Sequence, residues 1–203
     1  MTALFVQSFW YNGEKEKKML IIIGKSGSGK TSVVDELVNN YGYSKEVTDT
    51  TRPKRPGEVE GVDYNFLSQE KFDENKEAGL YAEDVVYNAS FGRVSYGSRK
   101  DSYVNTEKSV IILNPYGLKQ VIQSLGRENV QAIYLRLEDE LILSRLAKRG
   151  DNPVEVNRRL ETDRFDFSGI EKDCQVVIDV KVEDSIEAIA KSIMKQLKGG
   201  AKQ

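Results

Sequence analysis

Histidine is absent from the 203-residue chain, cysteine occurs once and proline four times. The missing imidazole excludes Ser-His-Asp catalysis and histidine-ligated metal centres. The lone thiol, Cys174, can close no intrachain disulfide and has no imidazole to activate it. It reads as a small buried residue, and a reduced, cytoplasmic setting fits best. No apolar run is long enough to span a membrane. Thr2–Trp10 is apolar but short, is broken by Gln7 and Ser8, and lacks the basic leader of a signal peptide. An extra strand, a partner contact or a cloning remnant stay open for it. Charge of one sign is also lacking: 30 Lys and Arg stand against 32 Asp and Glu, a net charge of −2. That balance argues against a nucleic-acid binder and leaves room for a local basic pocket. Lysine, arginine, carboxylates and backbone dipoles remain, and that toolkit suits phosphoryl transfer.

The chain is long enough for one domain with a sizeable core and mobile subdomains. Met19–Ile23 (MLIII) reads as a buried parallel strand, followed by a helix over Thr31–Asn40 with one apolar face. Ser109–Leu113, Val130–Leu135 and Gln175–Asp179 read as further strands. Gly117–Leu125, Glu138–Arg149 and Asp184–Leu197 read as helices. This alternation predicts an α/β fold with a mostly parallel sheet. Two stretches break it. Thr48–Ser98 is rich in Gly, Pro, Tyr and charge, and is too long for a loop, so an inserted subdomain is expected there. Gly150–Gly169 is strongly charged and interrupts the last βα unit, and the Lys198–Gln203 tail reads as disordered.

Gly24-Lys25-Ser26-Gly27-Ser28-Gly29-Lys30-Thr31 fits G-x-x-x-x-G-K-[ST]. Its glycines let successive N–H groups turn toward phosphate oxygens, and the following helix adds its dipole. Lys30 can reach the β- and γ-phosphates, and the Thr31 hydroxyl can ligate Mg²⁺. A chance match in a chain this long is on the order of one per cent, and the motif sits between a predicted strand and helix. It indicates nucleoside triphosphate binding without fixing the reaction.

Thr48-Asp49-Thr50-Thr51-Arg52-Pro53-Lys54-Arg55-Pro56-Gly57-Glu58 holds two arginines three residues apart in a proline-stiffened loop. Prolines reduce the entropy lost on ordering, and the planar guanidinium suits bidentate phosphate binding. Gly61-Val62-Asp63-Tyr64-Asn65-Phe66 follows, then Ser95-Tyr96-Gly97-Ser98. With the phosphate loop, and more weakly with Arg145-Leu146, Arg149-Gly150 and Arg158-Arg159-Leu160, these motifs resemble the guanylate kinase family from about Ile21 to Leu160.

The resemblance implies a three-layer P-loop kinase fold in a single domain. Its core would be 19–47, 99–149 and 170–198, its monophosphate-binding subdomain 48–98 and its lid 150–169. It implies that Arg52, Arg55, Tyr64 and Tyr96 hold the acceptor phosphate, and that Thr48, Glu83 and Ser98, with Gly97 beside them, hold the guanine. Arg145, Arg149 and Arg159 would stabilise the transferred phosphoryl, and Gly24–Thr31 would bind ATP and Mg²⁺. Guanine's adjacent N1–H and N2–H₂ donors suit one carboxylate such as Glu83, whereas adenine turns an acceptor toward it. The sequence departs from the family at a strand end usually followed by two acidic residues. An ungapped alignment puts Ile112 at the first position and Asn114 at the second, and a two-residue deletion would put Asn114 at the first. Either way negative charge is missing there, although an asparagine oxygen can still accept a hydrogen bond. Thr48 replaces a usual serine, Lys25 a usual proline or glycine, and the lid is one residue short. The expected activity is transfer of the γ-phosphoryl group of ATP to GMP or dGMP. A kinase for another nucleoside monophosphate, motivated by Asn114, and a non-catalytic phosphoprotein-binding module are the alternatives.

Overall fold

Strand β1, Met19–Gly24, is buried along its whole length, and its side chains divide between two cores. Leu20 and Ile22 join one hydrophobic cluster, while Met19, Ile21 and Ile23 join the other. A strand sends alternate side chains to opposite faces, so an apolar residue at every position means a sheet covered on both sides. Each fully buried isoleucine contributes roughly 1.5–3 kcal/mol. The structure, a computed structural model, describes residues 18–89, 92–104 and 107–199. Thr2–Trp10 lies outside them.

β1 runs parallel between β7 (Ser109–Ile112) and β8 (Val130–Arg136). The edges are β2 (Ser44–Lys45) and β9 (Val176–Asp179), giving the order β2-β7-β1-β8-β9. One face is covered by α1 (Lys30–Tyr41), α4 (Asp139–Arg149), α5 (Pro153–Asp166) and α6 (Ile186–Gly199). The other face is covered by α3 (Pro115–Leu125), with Tyr103, Phe167 and Ile170. α/β sheets of this kind bind ligands beyond the carboxyl ends of their strands, and β1 ends at Gly24, where the phosphate loop begins.

A second, four-stranded sheet is built from β3 (Asp49–Thr50), β4 (Asn65–Phe66), β5 (Tyr81–Ala89) and β6 (Gly92–Arg99), in the order β4-β3-β6-β5. The carboxylate of Asp49, fully buried, ties this sheet together. It accepts from Tyr81 Oη at 2.8 Å and from Asn65 Nδ2 at 2.7 Å, with Arg99 at 3.7 Å. A buried carboxylate is tolerated only with such partners. Helix α2 (Gln69–Glu77) packs Phe72 on the Tyr81 ring, with centroids 4.6 Å apart.

Three expectations change. α3 begins at Pro115 rather than Gly117, because the Asn114 side chain caps it by accepting from the Gly117 N–H at 2.8 Å, with proline in its first turn. The charged interruption contains a 14-residue helix, α5. Asn152 caps it, and Val156 and Leu160, one turn apart, face the core. Finally, α6 continues through Lys198 to Gly199, so the helix takes in the start of the expected disordered tail, whose last residues lie outside the described ones.

Candidate functional site

The loop from Gly24 to Thr31 wraps over the end of β1 and feeds α1. Gly29, at the N-cap of that helix, has φ of 90°, a left-handed conformation that an L side chain rarely adopts. Lys30 folds back over the loop and donates to the carbonyls of Gly24 at 2.7 Å and Lys25 at 3.0 Å. Burial lowers its pKa to about 8, with the Arg149 charge adding to the effect and Asp163 opposing it. Arg145 reaches the same loop from α4, 3.4 Å from the carbonyls of Gly27 and Ser28.

This loop and the arginine segment face a single cleft of about 500 Å³. Its walls include Gly24, Ser26, Gly27, Gly29, Lys30 and Thr31 from the phosphate loop. Thr48, Arg52, Arg55, Tyr64, Glu83, Tyr96 and Gly97 come from the second sheet and its connections. Asn114, Arg145, Arg149 and Arg159 complete the set. Residues more than a hundred positions apart in the chain therefore meet, and Lys30, Arg52, Arg55, Arg145, Arg149 and Arg159 bring a cluster of positive charge to the cleft.

Three of the cationic arms, Arg52, Arg149 and Arg159, are held by internal carboxylates. Arg52 makes a bidentate pair with Glu58 at 2.9 and 2.7 Å, and the Arg55 N–H also donates to Glu58 at 2.7 Å. Burial would raise the Glu58 pKa, but these donors outweigh it and hold the carboxyl below its usual range. Arg52 also lies over the rings of Tyr64 and Phe66, 5.2 and 5.6 Å from their centroids. Arg149 pairs with Asp151 at 2.6 and 2.5 Å. Arg159 donates to Glu155 at 2.8 Å. Two arginine hydrogen bonds, from Arg158 first and then Arg159, overcome burial and pull Glu155 down to about 2. Arg55 has the opposite balance: burial, then the charges of Arg52, Arg159 and Arg149, lower its pKa. Mutual repulsion among these guanidiniums marks the centre of the cleft as a place for anions.

Glu83, on β5, is only 4% exposed. Burial raises its pKa to about 7, partly offset by the Ser98 hydroxyl and N–H and reinforced by Asp84. Room for it is made by α3. A Cβ on Gly117 would stand 2.6 Å from Glu83 Oε2, so a side chain at Gly117 would press directly on the carboxylate.

Three expected site residues are placed differently from the sequence reading. Ser28 is 1% exposed and does not line the cleft. Its N–H is used inside the loop by the Lys25 carbonyl at 3.1 Å, and its Oγ has no hydrogen-bond partner. Ser98 is fully buried, sharing a 2.7 Å hydrogen bond with Tyr103 behind Glu83, and does not line the cleft either. Asn114 does line it, but its side-chain oxygen is already engaged as the α3 cap, which leaves one lone pair for a ligand. Ile112 also lines the cleft, as an apolar wall at the strand end. Sequence reasoning missed Tyr87, Glu155 and Asp163, all at the cleft surface. The only sequence signal for Asp163 and Glu155 was the charged run itself, whose helical phase becomes readable once Asn152-Pro153 is recognised as a helix start.

No helix among the described residues is long and apolar enough to cross a membrane. The family model for guanylate kinase matches residues 16–197. A guanylate kinase of Clostridium tetani is 31% identical over 178 residues, covering 86% of this chain and 84% of its own. One from Thermotoga maritima is 30% identical over 179 residues, covering 85% and 84%. The crystal structure of guanylate kinase from Anaplasma phagocytophilum shares the fold, with a TM-score of 0.69 over 93% of this chain and 89% of that one at 24% identity. A phosphate-loop motif and the Arg52–Arg55 segment converging on one cleft, with sequence likeness along most of the chain, make this protein a member of the guanylate kinase family.

Proposed function

We propose that this chain transfers the γ-phosphoryl group of ATP to GMP or dGMP, giving ADP and GDP or dGDP. One observation carries the reading. The phosphate loop and the Arg52–Arg55 segment, two separate anion sites, open into the same cleft beneath the arginines of α4 and α5. A donor polyphosphate in the first site and an acceptor monophosphate in the second would place the acceptor oxygen next to the γ-phosphorus.

The chain's own residues then act by positioning and electrostatics. Backbone N–H groups of the loop and Lys30 hold the donor phosphates. Arg52, Arg55, Tyr64 and Tyr96 hold the acceptor phosphate, and exchanging Glu58 for that phosphate keeps the Arg52 fork satisfied. Arg145, Arg149 and Arg159 supply charge beside the transferred group. Thr48, Glu83 and Asn114 read the base, with Gly97 at the wall and Ser98 acting through Glu83. The division into a core, an acceptor-binding unit at 48–98 and a lid at 150–169 belongs to this reading, with closure excluding water.

The residues present fit a Mg²⁺ ion that arrives on ATP. Thr31 offers a hydroxyl at the cleft, and such ions keep several waters and substrate oxygens as ligands. They do not form a protein cage, since no group of three or more metal-binding side chains exists among the described residues. When bound, the ion would neutralise phosphate charge. ATP and GMP as small-molecule substrates, with neither nucleic acid nor membrane as partner, and a reduced cytoplasmic setting complete the reading.

Another nucleoside monophosphate as acceptor is the second reading. The observation favouring it is the neutral pair Ile112 and Asn114 at the base end of the cleft. The Lys30→Ala variant tests the kinase itself. Turnover is expected to fall about tenfold or more while the far-UV spectrum is unchanged, and near-normal turnover in a folded variant sinks the mechanism.

A further inference from the structure

The mechanism makes no use of a carboxylate that is hydrogen-bonded to the backbone of the phosphate loop. Asp163 is in the last turn of α5, and its Oδ2 accepts the backbone N–H of Ser26 at 2.9 Å. Ser26 and Asp163 both line the cleft. Beside this contact Asp139, at the start of α4, bridges the loop and the helix. It accepts from Lys25 Nζ at 2.7 Å and from Arg164 Nε at 2.8 Å. Helix α5 is thus attached to the phosphate loop at two adjacent points, one ionic and one through a backbone donor.

The Ser26 attachment differs in kind from the arginine–carboxylate pairs elsewhere in the cleft. An arginine has five donors and can keep one partner while gaining another. A backbone N–H has a single hydrogen, so the Asp163 oxygen and a phosphate oxygen compete for it. The two anions also repel each other in a partly buried site, where such repulsion is stronger than in water. Lys30, the other main phosphate ligand, is within the electrostatic reach of Asp163 as well.

We propose that Asp163 is a built-in competitor for the phosphates of ATP. In the empty protein its carboxylate takes the Ser26 N–H and holds α5 against the phosphate loop, and nucleotide enters only by displacing it. The proposal rests on the reading of Gly24–Thr31 as a phosphate-binding loop. Its consequence is that the Asp163 contact with the Ser26 N–H is lost when ATP arrives, so that the arginines of α5 are repositioned in the same step. Asp163 is a positioning residue in this account and takes no part in the chemistry.

ADP binding to the full chain, measured by titration calorimetry without any acceptor, tests it. Asp163→Ala and the closer isostere Asp163→Asn are compared with Glu161→Gln, an exposed charge loss on the same helix. ADP should bind about three- to tenfold more tightly to Asp163→Ala, with Asp163→Asn intermediate and Glu161→Gln unchanged. Hydrogen exchange of the empty variants should be faster over Pro153–Asp166 and Gly24–Thr31, a change that lost charge alone does not produce. Equal or weaker ADP binding in both Asp163 variants overturns the proposal. So does an equal gain in Glu161→Gln, which would reduce the effect to net charge. If neither the unmodified chain nor the variants bind ADP, the competitor and the phosphate-loop reading both fail. If all bind ADP but none phosphorylates GMP, only the acceptor assignment fails.

Discussion

Replacing Glu83 by glutamine isolates the carboxylate proposed to read guanine. Burial leaves Glu83 ionised only above about pH 7. Above that value one carboxylate can accept both N1–H and N2–H₂ of the base. Glutamine keeps a single acceptor oxygen and turns an amide N–H₂ toward a donor. Losing one charge-assisted hydrogen bond and leaving a guanine donor unpaired costs about 2–3 kcal/mol, or roughly 30- to 150-fold in kcat/KM for GMP. The neutral acid that forms below about pH 7 has the same defect, so the unmodified enzyme should lose about tenfold for each unit of acidification below that point. Glu83→Gln removes the titrating group, and its acid limb should flatten. The assay is coupled ADP release at saturating ATP, with GMP varied on both sides of pH 7. AMP serves as the control, because its pairing edge presents an acceptor where guanine has N1–H. A variant that keeps full kcat/KM at about pH 8, or keeps the acid limb of its parent, refutes the assignment of Glu83 to the base.

Two further outcomes follow from the same geometry. Gly117→Ala puts a methyl group 2.6 Å from Glu83 Oε2 and forces the carboxylate to shift, so KM for GMP should rise by about tenfold with KM for ATP unchanged. An unaltered KM for GMP would show that Gly117 is not holding space for the carboxylate. The pKa of Lys30 is lowered to about 8 by burial, and its cationic form is the one proposed to hold phosphate. KM for ATP should therefore climb as pH passes about 8, confining good activity to a window between the Glu83 and Lys30 values. A KM for ATP that falls over that range contradicts the role of Lys30.

The parallel core was legible because β1, β7, β8 and β9 are short apolar runs whose composition alone requires two covered faces. The phosphate loop was legible because glycine spacing and the following lysine have one main physical use. The second sheet was harder to read. β3 and β4 are two residues each, and their stability comes from Asp49 and its partners in distant segments. No local pattern reveals such pairing. Helix α5 was obscured by charge: Arg158 and Arg159 both fold onto Glu155, so its polar residues satisfy one another and only Val156 and Leu160 carry the apolar phase. Ser98 and Ser28 show a different limit. Motif spacing brings a residue to the neighbourhood of a site, but a β-strand or a tight loop decides which side chains face the ligand and which support from behind. The Asp163 contact with the Ser26 N–H depends on the packing of α5 against the loop, and sequence spacing carries no information about it.

The most direct test of the central claim follows the phosphoryl group itself. ATP labelled at the γ-position is incubated with the enzyme, Mg²⁺ and, in parallel, GMP, dGMP, AMP, UMP or dTMP, and the products are separated by chromatography. The account predicts label in the β-position of GDP and dGDP, with the other three acceptors far behind. Label in a different diphosphate would keep the kinase and move its acceptor. Label only in inorganic phosphate, or none released from ATP by folded protein, would contradict phosphoryl transfer by this cleft.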